Sequence, residues 1–159
     1  MPVWTPLLLP WPWAAGQQAV LVGVLLGASI VDVKQRRIPN LLNLAGALLA
    51  FTFSLLGGKS FFWSSLKGSL TVFFLLLLLH LISRGRLGLG DVKLGFVLGA
   101  FLGPEAGLLA VTWAFLIGGG VALVLLLMKK ISREDSLPLA PFFALGTLIL
   151  YLDPHLWVP

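Results

Sequence analysis

Long apolar runs separated by short polar clusters are the main pattern of this 159-residue chain. A helix needs about 20 apolar residues to cross a hydrocarbon core about 30 Å thick, and fewer where the bilayer is thin. By that measure the sequence predicts about six transmembrane helices. They are expected at residues 14–31, 40–57, 65–83, 91–104, 106–128 and 137–153. The expected fold is therefore all-α, a polytopic membrane protein with a single transmembrane domain over residues 1–159.

The boundary between the fourth and fifth predicted helices falls at Gly103 and Pro104. Proline disfavours helix in the residue before it and cannot continue the hydrogen-bond ladder behind it. Small residues also recur every four positions at Gly95, Gly99 and Gly103, a spacing typical of close helix packing in membranes. We therefore expect a short fourth helix that packs closely against a neighbour and ends at the proline.

Composition agrees with a membrane protein, since 58% of the residues are hydrophobic, 11% are charged and the mean hydropathy is +1.02. The chain has no cysteine, which excludes disulfides, thiol nucleophiles and cysteine-based metal sites. The sequence pI is about 10.1, but the basic residues fall in short clusters between apolar runs, a topological pattern rather than a nucleic-acid footprint. The expected surroundings are membrane lipids, with no nucleic acid bound.

Lysine and arginine are concentrated in alternate loops, and short cytoplasmic loops accumulate these residues. The loops after the first, third and fifth predicted helices carry nine of them, against two on the opposite side. The nine are Lys34, Arg36, Arg37, Arg84, Arg86, Lys93, Lys129, Lys130 and Arg133, and the two are Lys59 and Lys67. This bias predicts that both termini lie outside and that the basic loops face the cytoplasm.

Two aspartates, Asp32 and Asp91, begin identical Asp-Val-Lys tripeptides at the edges of apolar segments. An ionisable group at the centre of a span costs roughly 2.5 to 3.5 kcal/mol, so such a residue is a candidate functional residue. The predicted orientation puts both on the cytoplasmic side, although they are 59 residues apart. Simpler interpretations are that Asp91 caps the fourth helix and that Asp32 forms an ion pair with Arg36 and Arg37.

Two carboxyl groups in one confined site share a proton, because both cannot ionise cheaply. The ionised member can take a proton from water while the protonated member polarises a substrate carbonyl, as in aspartic proteases. The only histidines, His80 and His155, have no zinc-type spacing, so we expect no metal and no cofactor. An alternative of another class is a small transporter in which the two aspartates carry protons or cations.

Three segments of the chain resemble, in order, the signature segments of the type IV prepilin peptidases. They are Asp32 with Lys34, Arg36, Arg37 and Ile38-Pro39-Asn40, then Gly88-Leu89-Gly90-Asp91-Val92-Lys93, and finally Pro138-Leu139-Ala140-Pro141-Phe142-Phe143-Ala144-Leu145-Gly146. The resemblance is ordered and spans most of the chain. Gly-x-Gly-Asp alone would be a weak indication, whereas the combination is strong.

The resemblance implies an aspartic endopeptidase, a hydrolase in the bacterial inner membrane with Asp32 and Asp91 catalytic. Members of this family cut the leader from prepilins or pseudopilins of type IV pilus and protein secretion systems, after a glycine at the cytoplasmic membrane edge. Candidate supporting residues at the active site are Gly88, Gly90, Lys93, Pro39, Asn40 and Pro141.

Two features differ from the family pattern. Many members carry a cytoplasmic N-methyltransferase domain with paired Cys-x-x-Cys motifs, whereas this sequence has no cysteine. It therefore resembles the short, peptidase-only members. Ala140 also stands where the family often has glycine before the proline, and its methyl group is expected to narrow that backbone turn.

Overall fold

The computed structural model describes residues 13–36, 38–130 and 137–152. Arg37 and Arg133, used above to predict orientation, lie outside the described residues. Within these ranges the chain is entirely helical, with five helices and no strand, which confirms the expected all-α class. The helices are α1 (Trp13–Gln35), α2 (Asn40–Leu56), α3 (Lys59–Ile82), α4 (Leu89–Leu127) and α5 (Ala140–Leu152).

Helix α4 is broken at Gly103, whose φ of 79° and ψ of −179° are accessible essentially only to glycine. Pro104 follows at the start of the next segment, a position that proline favours. A Cβ built on Gly107 would lie 3.3 Å from the Cα of Gly99, whereas eight residues of straight helix span about 12 Å. The chain therefore folds back, and α4 is a hairpin of two segments, residues 89–102 and 104–127.

Within the described residues, six helical segments thus overlap the six ranges predicted for transmembrane helices. By length and composition α1, α3 and α4 are long and apolar enough to cross a membrane, and α2 and α5 are shorter apolar helices. Helix α3 begins at Lys59, six residues before its predicted start, because the positive φ of Gly58 ends the preceding turn directly before it.

The first half of α4 lies at the centre of the bundle, and most of its residues are buried. The largest interface of α4 as a whole is with α3. Gly68 of α3 and Gly99 of α4 meet backbone to backbone, since a Cβ on either glycine would overlap the carbonyl oxygen of the other. Gly95 packs against Leu76 of α3 in the same interface. The close packing predicted for these glycines is confirmed, and the neighbour is α3.

Helix α5 packs antiparallel against the second half of α4. Gly146 contacts the backbone of Ala110, and Phe142 lies against Gly118, where a Cβ would be 3.1 Å from the ring. Helix α1 packs in turn against α5 and α2. These contacts bring the end of α1 beside the start of α5.

The backbone contact between α3 and α4 leads to a stability prediction. Gly68→Ala and Gly99→Ala each force the two helices apart, and we expect a loss of about 1–3 kcal/mol, the usual cost of overpacking. Gly23→Ala is the matched control, because nothing lies within 4 Å of its Cβ position and alanine is the better helix former. Thermal unfolding of the purified protein in detergent measures the effect. A Gly99→Ala variant that melts like the wild type would contradict the packing described.

Candidate active site

Asp32 lies in the last turn of α1 with its side chain directed into the protein, where the residue is 6% exposed. Its Oδ2 accepts a hydrogen bond of 3.1 Å from the backbone N–H of Ala140, the fully buried first residue of α5. The first N–H groups of a helix have no partner within the helix, and the helix dipole favours negative charge at that end. Asp32 therefore satisfies the start of α5 from a different helix.

The sequence at the start of α5 makes the N–H of Ala140 the donor that needs an outside partner. Pro141 has no N–H, and the N–H groups of Phe142 and Phe143 donate to the carbonyl of Leu139. Pro141 also lines an apolar groove of about 380 Å³ between α1 and α5. The predicted supporting residue Pro141 thus directly follows Ala140, the residue that is hydrogen-bonded to Asp32.

Asp91 lies in the first turn of α4, three residues after the N-cap residue Gly88. Its N–H donates to the carbonyl of Gly88 at 3.1 Å, and the backbone of Gly88 hydrogen-bonds to the Asp91 carboxyl group. The Oδ1 atom is buried and has no hydrogen-bond partner among the described residues. Asp91 is therefore not the N-cap residue itself, and one of its oxygens is free.

Asp32 and Asp91 lie on segments that pack together, because Ile38, six residues after Asp32, contacts Gly90, the residue before Asp91. The charge of Asp32 acts on the Asp91 carboxyl group. The Asp32 carboxylate accepts a hydrogen bond from the backbone N–H of Ala140 rather than pairing with Arg36. Each carboxyl group lies at the N-terminus of a helix, Asp32 at α5 and Asp91 at α4. Within the described part of the chain, no cluster of three or more His, Cys, Asp or Glu side chains could hold a metal ion.

The two glycines before Asp91 make room for different neighbours. A Cβ on Gly88 would lie 3.0 Å from Oδ2 of Asp91, and a Cβ on Gly90 would lie 3.3 Å from the Cβ of Ile38. Ile38 is buried in the connection between α1 and α2, and Pro39 follows it as the N-cap residue of α2. The Gly-x-Gly sequence therefore lets the connection after Asp32 pack directly against the helix that carries Asp91.

Lys93 and Asn40, two further predicted supporting residues, contact each other. The Nζ of Lys93 donates a hydrogen bond of 2.8 Å to Oδ1 of Asn40, and both residues are exposed. This bond joins the start of α4 to the start of α2. Lys93 and Asp91 are two positions apart on the helix and face different directions.

Sequence reasoning did not assign roles to Ala140 as a backbone donor or to Asn43. Asn43 lies in α2, is 6% exposed, and has no hydrogen-bond partner for either amide atom within the described residues. A polar residue inside an apolar run of a membrane protein is a candidate functional residue, and Asn43 is such a residue. The donor role of Ala140 has no such signal, because every residue except proline has an N–H.

Comparison with known proteins identifies the family of this chain. Residues 19–123 match the model of the type IV leader peptidase family, and the chain belongs to that family. No solved structure matches it.

Relatives named prepilin leader peptidase/N-methyltransferase are similar over most of this chain. The protein of Bacillus subtilis (strain 168) is 26% identical over 133 residues, which are 84% of this chain and 54% of the relative. That of Aeromonas hydrophila is 26% identical over 88% of this chain and 50% of its own length. That of Burkholderia pseudomallei (strain K96243) is 31% identical over 79% and 42%. The chain spans about half the length of these curated relatives.

The contact between Gly88 and Asp91 leads to a prediction on activity. Gly88→Ala displaces the Asp91 carboxyl group. If Asp91 is catalytic, as the family resemblance implies, we expect the rate of peptide cleavage to fall about tenfold or more, because small displacements of reacting groups are costly. Gly119→Ala is the control, since nothing lies within 4 Å of its Cβ position. Initial rates of leader cleavage, with melting temperatures to verify folding, measure both variants. Equal rates for Gly88→Ala and the wild type would contradict this prediction.

Proposed function

We propose that this chain is a membrane-embedded aspartic endopeptidase that removes the leader peptide of prepilins or pseudopilins. The observation that carries the proposal is the placement of two carboxyl groups, 59 residues apart in sequence, at neighbouring helix ends. Asp32 bonds to the start of α5, Asp91 lies in the first turn of α4, and Ile38 and Gly90 pack the two segments together. Membership of the type IV leader peptidase family supports it. The proposed substrate is a prepilin, as in the names of the relatives.

The two aspartates divide the chemistry between them. Both carboxyl groups lie at helix N-termini, but Asp32 accepts a hydrogen bond from the N–H of Ala140, whereas Oδ1 of Asp91 has no partner among the described residues. Asp32 is the carboxylate that takes a proton from the attacking water. Asp91 keeps a proton on its unpartnered Oδ1 and donates a hydrogen bond to the substrate carbonyl. The water oxygen bonds to the carbonyl carbon, the C–N bond breaks, and the leaving amine receives the proton that Asp32 took.

The proposed location of the cut is the cytoplasmic edge of the bacterial inner membrane. The apolar runs of the sequence predict six crossings, and the alternation of basic residues predicts that both termini lie outside. That arrangement puts both aspartates on the cytoplasmic side. Asp32 is three residues from the end of α1 and Asp91 is in the first turn of α4. These positions favour the peptidase over the transporter, which would need acids nearer the middle of a span.

The proposed substrate is cut after a glycine. A peptide bond within a helix is hydrogen-bonded and surrounded by side chains, so the substrate must be unwound where the carboxyl groups reach it. Glycine is a poor helix former and lets the chain approach closely. Lipids surround the apolar outer surface of the bundle, which exposes large side chains such as Leu41, Leu127 and Leu152.

The first test replaces the proposed catalytic residues. Asp32→Asn and Asp91→Asn are each expected to reduce cleavage to background while the protein still inserts and folds, because an amide keeps the shape but cannot transfer the proton. Purified protein in detergent is incubated with a prepilin, and the new amino terminus of the product is sequenced. The wild type is expected to make one cut, after the leader glycine.

Glu105→Gln is the matched control, since Glu105 also lies in the first turn of a helical segment, after Pro104, but its side chain is exposed. We expect this variant to cut at the wild-type rate. An active Asp32→Asn or Asp91→Asn variant would overturn the proposed mechanism. Loss of wild-type cleavage in a chelator, restored by a divalent cation, would indicate instead that the two carboxylates hold a metal.

A second test addresses the crossings, and it uses the absence of cysteine from the sequence. Lys59→Cys lies before α3 crosses the membrane and Lys130→Cys lies after α4. With three crossings between them, a membrane-impermeant maleimide should label Lys59→Cys on intact spheroplasts and Lys130→Cys only after permeabilisation. If α4 crossed once rather than as a hairpin, both cysteines would be labelled from the same side.

A further inference from the structure

The loop between α3 and α4 leads to Gly88, the N-cap residue of α4. Helix α3 stops where Arg84 takes a φ of 54°. The N–H of Gly85 donates to the carbonyl of His80 at 2.9 Å. The N–H of Arg84 donates to the carbonyl of Leu81 at 3.1 Å. These two bonds form a Schellman motif, which closes the end of a helix, so the loop leaves α3 in a defined direction.

The ring of His80, in the last turn of α3, also takes part in this loop. Its Nδ1 lies 2.5 Å from the carbonyl oxygen of Leu87, seven residues further along the chain. A carbonyl oxygen only accepts hydrogen bonds, so Nδ1 carries a proton and is the donor. The bond forms whether Nε2 is protonated or not, and it therefore does not depend on the charge of the ring.

The carbonyl of Leu87 belongs to the same peptide group as the N–H of Gly88. Asp91 is the third residue of α4 after Gly88, a position from which an acidic side chain reaches back to the N–H of the N-cap residue. The backbone of Gly88 does bond to the Asp91 carboxyl group. The bonded oxygen is Oδ2, since Oδ1 has no partner among the described residues and a Cβ on Gly88 would lie 3.0 Å from Oδ2.

The Leu87–Gly88 peptide group is thus held at both ends, by His80 at its oxygen and by Asp91 at its N–H. A peptide group is planar, so the direction of its carbonyl fixes the direction of its N–H. Glycine on one side of the group does little to resist its rotation. Hydrogen bonds in a chain also polarise one another, so the bond from His80 strengthens the N–H of Gly88 as a donor.

We propose that His80 is a positioning residue for Asp91, which acts through the Leu87–Gly88 peptide group and keeps Oδ1 of Asp91 free to face the substrate. This inference rests on the proposed peptidase function and adds to it a residue outside the proton transfers. His80 neither touches the substrate nor exchanges a proton with it. Its part is to fix the peptide group that orients the reacting carboxyl group.

The first measurement compares His80→Leu with His80→Asn. Leucine removes the donor, whereas the amide nitrogen of asparagine is as many bonds from the backbone as Nδ1 and keeps it. We expect His80→Leu to lower kcat about tenfold with little change in KM, because a reacting group is displaced while substrate binding is kept. His80→Asn should retain most of the wild-type kcat. Initial rates of prepilin cleavage by the purified protein in detergent measure both.

Ser83→Ala is the matched control for a general loosening of the loop. The hydroxyl group of Ser83 accepts the N–H of Leu87 at 3.2 Å and donates to the carbonyl of His80 at 3.0 Å. Alanine there removes two bonds of the same loop but neither bond of the Leu87–Gly88 peptide group. We expect a wild-type kcat for Ser83→Ala, together with a lower melting temperature.

Infrared spectra of the protein without substrate measure the position of Asp91 independently of activity. With the proposed proton on Oδ1, Oδ2 is the C=O oxygen, and the loss of its hydrogen bond raises the C=O stretching frequency. The band that disappears in Asp91→Asn identifies this carboxyl group. We expect the band at a higher frequency in His80→Leu than in the wild type, and at the wild-type frequency in His80→Asn and Ser83→Ala.

A wild-type kcat or an unshifted Asp91 band in His80→Leu would overturn the inference. Equal losses of kcat in His80→Leu and His80→Asn, or in His80→Leu and Ser83→Ala, would overturn it too. The proposed function is judged separately, because it stands if the wild type cuts a prepilin and Asp91→Asn does not. A wild type that cuts no prepilin would overturn the proposed function, and the infrared band would still report whether His80 positions Asp91.

Discussion

The backbone contact between Gly68 and Gly99 is the constraint on which the rest of the bundle depends. Only residues without side chains allow α3 to come this close to α4 beside the turn at Gly103. Beside this contact α4 folds back on itself at Gly103, with Gly107 against Gly99, and most residues of its first half are buried. The start of that half carries Asp91. Asp91, which the sequence places at the edge of an apolar run, is half-buried there, and its Oδ1 atom is buried.

Both aspartates accept hydrogen bonds from backbone N–H groups at the start of a helix. The first N–H groups of a helix have no partner within the helix, and apolar surroundings offer no water to replace one. Asp32 meets this need at α5 through Ala140, and Asp91 meets it at α4 through Gly88. A structural role and a catalytic role are therefore compatible in each residue. The free Oδ1 of Asp91 distinguishes this site from simple capping, because a group that only supported the helix would have no need of an unpaired buried oxygen.

The sequence predicted the features that depend on local rules. The break at Gly103 and Pro104 follows from the backbone preferences of two residues, and the packing of Gly95 and Gly99 follows from their spacing. The hydrogen bond between Ala140 and Asp32 joins residues 108 positions apart, and no local pattern determines that register. The same holds for the contact between Ile38 and Gly90, although both residues belong to segments that resemble the family. Asn43 was visible as a polar residue in an apolar run, but its lack of a partner is a property of the packed bundle.

Two of the six helical segments are short compared with the thickness of a bilayer, and this affects the membrane around the candidate site. The first half of α4 has 14 residues and α5 has 13, lengths of about 21 and 20 Å against a hydrocarbon core about 30 Å thick. Helix α5 exposes leucines at positions 145, 148 and 152, so lipid would meet it directly. A short helix in a thicker bilayer is accommodated by local thinning. A bilayer thinned around α5 would bring the headgroup layer closer to both ends of that helix, one of which is Ala140, the hydrogen-bond partner of Asp32.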